Sequence, residues 1–378
     1  MKDVSLYIHI PFCKQKCYYC DFLSFENFDM YIEKYFEALY MEIHQLSKLR
    51  DMYNISTIFI GGGTPTYVDN KYIVKLIYLI KNIITVNENV EITIEGNPGT
   101  FDKKKLINYK KVGINRLSIG LQCWQDKLLN NIGRVHTQHD FIRSYNEAIS
   151  AGFKNINIDL IFGLPNQTFK DWKITLRNVC DLKPQHLSCY SLKLENGTKM
   201  YNDWKEKKIF IDDSIDREMY YYTKEYLKDR GYVHYEISNF SLPNRQCKHN
   251  LVYWELKQYI GIGLGAHSFF EKKRYNNEKK IKKYIEKLLD GKTIIEDIIE
   301  SDIRSIKEEF IFLGLRKIQG IEDKCYKNMF NISIFDDYKE ELSNLKDKGL
   351  IHINRDRISL TNQGLDLANL VFMTFINK

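Results

Sequence analysis

Short apolar runs recur along the first half of the chain: SLYIHI, TIFIGGG, EITIEGN, RLSIGLQ, NINIDLIFGL and HLSCYSL, all between residue 4 and about 195. Their β-branched content and their Gly or polar ends read as strands. Between them apolar residues return every three or four positions, as over 30–46 and 71–84, the period of a helix with one buried face. Strand–helix alternation at this spacing predicts parallel βαβ units. Six strands ending in Gly, Glu, Gln and Asp predict an α/β fold built as a partial (β/α)6 barrel, with its chemistry at the strand C-termini. An open doubly wound sheet has the same alternation.

The pattern then changes. A long helix is predicted over 214–228, followed by YEISNF, a Cys-His-Asn segment and the Gly-rich YIGIGLGAHS, while 271–283 reads as a Lys-rich solvated stretch. Helices at 305–317 and 334–348 precede a hairpin and a closing helix in GLIHINRDRISLTNQGLDLANLVFMTFI, which predicts a C-terminal α+β unit of winged-helix type. The expected organisation is a barrel over 1–200, a barrel-completing region over 201–300 and the winged-helix-like unit over 301–378. No internal repeat is visible.

Composition narrows the classes. Hydrophobic residues at 44% and charged residues at 28% suit a globular chain, and a net charge of +7 is a mild excess. The apolar stretch 73–85 is broken by Lys75 and Lys81, too short a run for a membrane span. The opening MKDVSLYIHI enters a strand without a leader, so a cytoplasmic protein with reduced thiols is expected. In the C-terminal unit, DDYKEELSNLKDK mixes its charges evenly, so no nucleic-acid partner is expected. A lid or docking module over the barrel mouth is expected instead.

Three of the eight cysteines crowd into Cys13-Lys-Gln-Lys-Cys17-Tyr-Tyr-Cys20, on the loop after the first strand. Three thiolates at these spacings can hold three corners of a 4Fe–4S cluster and leave the fourth iron open. Structural zinc, with Asp21, His9 or a distant Cys as fourth ligand, is the alternative for the triad alone. Cys123, Cys180, Cys189, Cys247 and Cys325 are scattered and read mostly as small buried hydrophobes. Gly61-Gly62-Gly63-Thr64-Pro65-Thr66 ends the second strand with a backbone that a ligand can approach closely, and it lacks the Lys-Ser/Thr of a nucleotide-triphosphate loop. Glu95, Gln122 and Asp159 stand at predicted strand ends and Arg134 follows in IGRVH. Converging on one mouth, these four suit a zwitterionic, ribose-bearing ligand.

The ordered set YIHIPFC, CxxxCxxC, GGGTPT, EGNP, RLSIGLQ, GRVH and DLIFGLP resembles the coproporphyrinogen-oxidase-like branch of the radical SAM superfamily along nearly the whole chain. The resemblance implies a 4Fe–4S cluster on Cys13, Cys17 and Cys20, chelated at its open iron by S-adenosylmethionine. It implies contacts to that cofactor from Tyr7, Gly62, Gly63, Thr64, Glu95, Gln122, Arg134 and Asp159, with Tyr19 joining them. It also implies electron transfer into the sulfonium to give a 5′-deoxyadenosyl radical, supplied by a reduced electron donor. Such a cofactor carries the hard step; the protein positions it and excludes water.

Two activities belong to this branch. One is oxygen-independent coproporphyrinogen III oxidation, a decarboxylation of two propionates; the other is a heme chaperone that hands heme to client proteins, membrane-associated ones among those expected. The oxidase pattern has a further Cys where Phe22 stands, and an extension before the strand that carries Tyr7. Cys247-Lys-His249-Asn250-Leu-Val-Tyr253-Trp254 matches the HNxxYW signature of the chaperones. There His249 offers an axial imidazole, Asn250 a group to orient it, and Tyr253 and Trp254 flat faces for a porphyrin. Cys247, His136, His186, His234 and His267 are further possible iron ligands, and a core histidine beside two aromatics is the plainer reading of His249. The expected function is thus a heme chaperone, with coproporphyrinogen oxidation as the alternative.

Overall fold

The computed structural model describes residues 1–376. Six parallel strands run in sequence order: β1 (Lys2–Ile10), β2 (Tyr53–Gly62), β3 (Thr85–Gly96), β4 (Arg116–Gln122), β5 (Ile156–Phe162) and β6 (His186–Ser191). Their outward residues, such as Ile8, Ile58, Ile94 and Ile119, are fully buried under the crossover helices. The helices begin where side chains satisfy free backbone N–H groups: Thr137 with Asp140 and Thr168 with Asp171 form reciprocal capping boxes after β4 and β5. The helix Ile32–His44 and the helix Asn70–Ile83 occupy the two windows whose periodicity predicts them.

The sheet does not close. It continues beyond β6 through the hairpin β7 (Val233–Glu236) and β8 (Asn239–Ser241), and beyond β1 through β9 (Tyr259–Ile262), β10 (His267–Phe270), β11 (Lys273–Asn277) and β12 (Ile295–Glu300). The result is an open 12-stranded sheet curved around a polar interior, with β9 parallel to β1 and the outer strands antiparallel. One stretch gains detail here and one departs from the sequence reading. YIGIGLGAHSFF is a pair of strands around a glycine turn. The expected solvated stretch 271–283 contains β11, because Asn277 is buried and donates to Glu42 at 2.7 Å and to the Gly263 carbonyl at 2.9 Å. Buried polar pairing fixes this Lys-rich segment as a strand where composition suggests solvent.

A second hydrophobic core holds the C-terminal unit. It joins the helices Ile303–Gly314, Asp323–Phe330 and Lys339–Asp347 to a small antiparallel sheet of β13 (Ile321–Glu322), β14 (Ile351–Asn354) and β15 (Arg357–Leu360). Leu256 and Phe269 tie that core to the large sheet. The unit stands against the N-terminal ends of β1 and β2, where a groove is walled by Lys2, Ser5 and Tyr53 on one side and Ile303, Phe310 and Met329 on the other. The expectation of a lid over the mouth is therefore corrected: the module abuts the opposite end of the strands. Among the described residues no helix is long and apolar enough to cross a membrane.

Candidate functional site

The loop after β1 carries the three cysteines and is pinned at both ends. Cys13 N–H donates to the Phe25 carbonyl at 2.9 Å, and Phe25 N–H donates to that of Pro11 at 2.8 Å. Lys16 N–H donates to Glu26, Tyr18 N–H to the Ile132 carbonyl, and Gln15 Nε2 to the Gly133 carbonyl. The glycines of GGGTPT are needed by contact. A Cβ on Gly62 would stand 2.4 Å from the His9 ring at a backbone φ of 107°, and one on Gly63 would stand 2.8 Å from the Phe12 carbonyl. This lets β2 press against the loop, so that Thr64 N–H donates to the Phe12 carbonyl at 2.9 Å.

Side chains then link the thiols. Thr64 Oγ1 donates to Cys13 Sγ at 3.4 Å, Asn97 Nδ2 to Thr64 Oγ1 at 2.9 Å, Arg134 Nη2 to Asn97 Oδ1 at 2.6 Å, and Arg134 Nη1 to Cys17 Sγ at 3.4 Å. Arg134 also donates to the Gly120 carbonyl. Asn97 is the residue that reading the strand ends missed; it lies two positions after Glu95 in the same EGNP motif. Burial raises the Cys13 thiol and pushes Cys20 up to about 11. Thiols that burial raises ionise together only against a positive partner, which the irons of a cluster supply. Among the described residues no three His, Cys, Asp or Glu side chains stand close enough to share one metal ion. A tetrahedral zinc needs its donors gathered around one point, whereas each cluster cysteine holds a different iron. The donor set fits a cluster.

These thiols open on a cavity of about 490 Å³ at the strand C-termini. Cys13, Cys17, Tyr19, Cys20, Gly62, Gly63, Thr64, Glu95, Gln122, Arg134 and Asp159 all line it. The structure thus brings together every residue expected for S-adenosylmethionine except Tyr7. That side chain lies deeper, its hydroxyl 3.0 Å from His9 Nδ1 and its ring stacked on Phe59. Gln122 reaches the cavity from a left-handed backbone with φ of 74°, which bulges β4 against β5 and is uncommon outside glycine. Asp159 accepts from Ser118 at 2.9 Å and from Asn157 at 2.8 Å. Burial raises Asp159, and burial followed by repulsion from Asp159 pushes Glu95 up to about 8. Two carboxyls held this way suit a ligand bearing positive charge and hydroxyl donors.

The HNxxYW segment lies at the other end of the strands, on the helix Lys248–Trp254. The expectation of an open axial imidazole is corrected. His249 is 1% exposed, with Nδ1 2.7 Å from Thr57 Oγ1, Nε2 2.9 Å from the Tyr253 hydroxyl, and its ring stacked on Phe59. Burial and the nearby Arg116 push it down to about 3, so it is neutral and satisfied. Thr57 and Tyr253 orient it, and Asn250 does not. Cys247 is fully buried beside Glu91, its thiol pushed up to about 12. His186 is closed between Asn157 and Tyr235. Of the segment, Trp254 alone presents an aromatic ring to the groove against the C-terminal unit, under the Arg316 guanidinium at 4.4 Å. Of the five scattered cysteines, Cys123, Cys180, Cys189 and Cys247 are buried as expected for most of them, and Cys325 is exposed in the same groove.

Comparison with known proteins agrees with this architecture. The model of the radical SAM superfamily matches residues 7–179, and that of the HemN C-terminal domain matches residues 306–367. The heme chaperone HemW of Bacillus subtilis (strain 168) is 36% identical over 376 residues, 99% of each chain. HemW of Lactococcus lactis subsp. lactis (strain IL1403) is 35% identical over 378 residues, 99% of this chain and 98% of its own. Coproporphyrinogen III oxidase (HemN) from Escherichia coli, a radical SAM enzyme of solved structure, superposes with a TM-score of 0.86 over 99% of this chain and 90% of its own, at 24% identity. That likeness carries the fold: an open radical SAM sheet with a HemN-type C-terminal domain. With near-full-length identity on one side and matching superfamily and C-terminal models on the other, the chain belongs to the HemW family of radical SAM proteins.

Proposed function

We propose that this protein is a heme chaperone that carries a 4Fe–4S cluster on Cys13, Cys17 and Cys20 with S-adenosylmethionine on the open iron, and that it hands heme to client proteins. The observation that carries the reading is the near-full-length similarity to proteins named heme chaperone HemW. Phe22 supports it: the side chain is 62% exposed at the cavity rim where the oxidase pattern has a cysteine. The same proposal divides the chain into the barrel over 1–200, the completing region over 201–300 and the C-terminal unit over 301–378.

When bound, the cluster and its S-adenosylmethionine supply one-electron chemistry from a reduced donor. The chain's own residues then have distinct tasks. Arg134 and Thr64 donate to Cys17 and Cys13, which holds both sulfurs in place. Glu95 and Asp159 accept from the amino group and ribose hydroxyls, and Gly62 and Gly63 leave room for the ligand against the strand end. Tyr19, between two of the cysteines, lines the cavity beside them.

Anaerobic reconstitution with iron and sulfide, followed by separate titrations with hemin and with coproporphyrinogen III, tests the reading. Heme binding without decarboxylation is the expected outcome. Turnover of coproporphyrinogen III to protoporphyrinogen IX would replace the chaperone by the oxidase.

A further inference from the structure

Two hydrogen bonds reach the cysteine sulfurs, and one amide between their donors sets the direction of the chain. A guanidinium only donates, so the Asn97 atom that faces Arg134 Nη2 at 2.6 Å is the carbonyl oxygen. The amide nitrogen is thereby turned to Thr64 and donates to Oγ1 at 2.9 Å. A hydroxyl has a single proton, and with Oγ1 accepting from Asn97 that proton is left for Cys13 Sγ at 3.4 Å. Arg134 Nη1 ends the belt on Cys17 Sγ, also at 3.4 Å. Thr64 is 2% exposed, so its hydroxyl takes its partners from the chain and not from solvent. Gly120 makes the meeting of Asn97 and Arg134 feasible: a Cβ there would stand 2.8 Å from Asn97 Oδ1 and 3.1 Å from Arg134 Nη2. The belt is also a partition. Cys17, Thr64, Asn97 and Arg134 line the cavity on one side and a smaller cleft of about 180 Å³ on the other.

We propose that Asn97 is a positioning residue that sets the reduction potential of the cluster, by fixing the hydrogen bonds that Thr64 and Arg134 direct at two of its sulfurs. The proposal rests on the cluster reading. In the step concerned one electron enters the cluster from the reduced donor, and no bond forms or breaks. The sulfurs carry part of the added negative charge. An O–H or N–H aimed at them therefore stabilises the reduced form more than the oxidised one and raises the potential. Asn97 acts on this through its neighbours. An aspartate of the same shape would keep the contact with Arg134 but would only accept at its other end. Its second oxygen would draw the Thr64 proton away from Cys13, and the sulfur would lose its donor.

The test is a redox titration of the full-length protein, reconstituted anaerobically with iron and sulfide and free of S-adenosylmethionine. Dithionite is added against redox mediators, and EPR counts the reduced clusters. Asn97→Asp and Thr64→Val should each keep normal iron and sulfide content and lower the midpoint. At the wild-type midpoint the ratio of reduced to oxidised cluster should fall roughly tenfold, about 59 mV for a one-electron couple. Thr64→Ser keeps the hydroxyl and should keep the wild-type midpoint. Aspartate also adds a negative charge, so the two changes are combined: in a Thr64→Val background, Asn97→Asp should shift the potential by clearly less than it does alone. If the aspartate variant holds no iron, Asn97→Ala is read in its place, and a midpoint there that stays or rises counts against the belt. An unchanged midpoint in Thr64→Val, or equal Asn97→Asp shifts in both backgrounds, overturns the role of Asn97 and leaves the cluster and the chaperone standing. Wild-type protein that assembles no cluster overturns the cluster reading, and the belt falls with it.

Discussion

At the C-terminal ends of the strands, Glu95, Gln122, Arg134 and Asp159 face a cavity. At the N-terminal ends, residues of the same kinds are turned on one another. Glu91 accepts from His249 N–H, His249 bonds to Thr57 and Tyr253, and His186 bonds to Asn157 and Tyr235. The electrostatic consequences diverge. At the mouth, burial raises carboxyls that have room for a cationic ligand; at the floor, burial drives His249 and His186 neutral among hydroxyls and amides. A polar residue pointing into such an interior is therefore a ligand contact only where its neighbours leave it unfinished. Otherwise it is a satisfied core group that fixes the shape of the scaffold.

The comparison breaks most visibly at the cysteines. Cys13→Ala, Cys17→Ala and Cys20→Ala should each abolish the 4Fe–4S absorbance and the low-temperature EPR signal of the reduced protein, because each removes one corner of the cluster. Native iron and sulfide content in all three would remove the cluster from the mouth. By contrast, Cys247→Ala at the floor should leave the iron content unchanged.

Next in size is the carboxyl pair. Glu95→Gln or Asp159→Asn should weaken S-adenosylmethionine binding by roughly tenfold or more, while iron content stays near normal. The pH dependence follows from the raised Glu95. Between the unfolded carboxyl value, about 4.5, and about 8, the folded chain holds a proton that the unfolded chain has lost. Stability from this group therefore falls as pH rises through that window. A cationic ligand favours the carboxylate, so binding releases the proton, and affinity should rise with pH up to about 8. Calorimetry in buffers of different ionisation enthalpy reads the proton release, which Glu95→Gln should reduce. An unchanged affinity and proton count in both variants would place the cofactor elsewhere.

At the floor the expected effect is on stability. His249→Ala takes the Tyr253 hydroxyl's partner away in a half-buried site, at a cost of about 1–3 kcal/mol, while Thr57 Oγ1 keeps its bond to Ser5 Oγ. A lowered denaturation midpoint with S-adenosylmethionine binding retained is the expected outcome. Tight hemin binding in wild type and none in a folded His249→Ala protein would return the imidazole to the role of iron ligand.

How legible all this was in the sequence differs between the two ends for a physical reason. Several strand C-termini announce themselves, since the runs of β2, β3 and β4 stop at Gly, Glu or Gln and the cavity collects those residues. Asn97 was hidden by lying one step beyond the strand, where a turn brings it back to Arg134. The floor was read less well. The spacing of His249 and Tyr253 at i and i+4 gives their common helix face but not whether that face meets solvent or the interior. Nor does a Lys-rich run disclose the buried Asn277 that makes it a strand, and nothing local sets Cys325 apart from the buried cysteines. Those outcomes depend on which distant element packs where.

The smallest effect sharpens the distinction within the mouth itself. Phe22 directly follows Asp21 after the cluster loop, and its ring is 62% exposed at the rim of the cavity. A residue so exposed contributes little to folding, and Phe22→Cys should change stability by no more than about 0.5 kcal/mol. The cluster already has its three thiols on one side, and Arg134 and Thr64 donate to two of them, so a fourth sulfur at the rim has no corner to complete. Iron and sulfide content, EPR line shape and S-adenosylmethionine affinity should all match the wild type. Coproporphyrinogen oxidation should stay absent, because one rim cysteine does not supply a substrate site. Were Phe22→Cys alone to confer that turnover, the mouth would already be an oxidase site lacking one thiol, and the chaperone reading would have to give way.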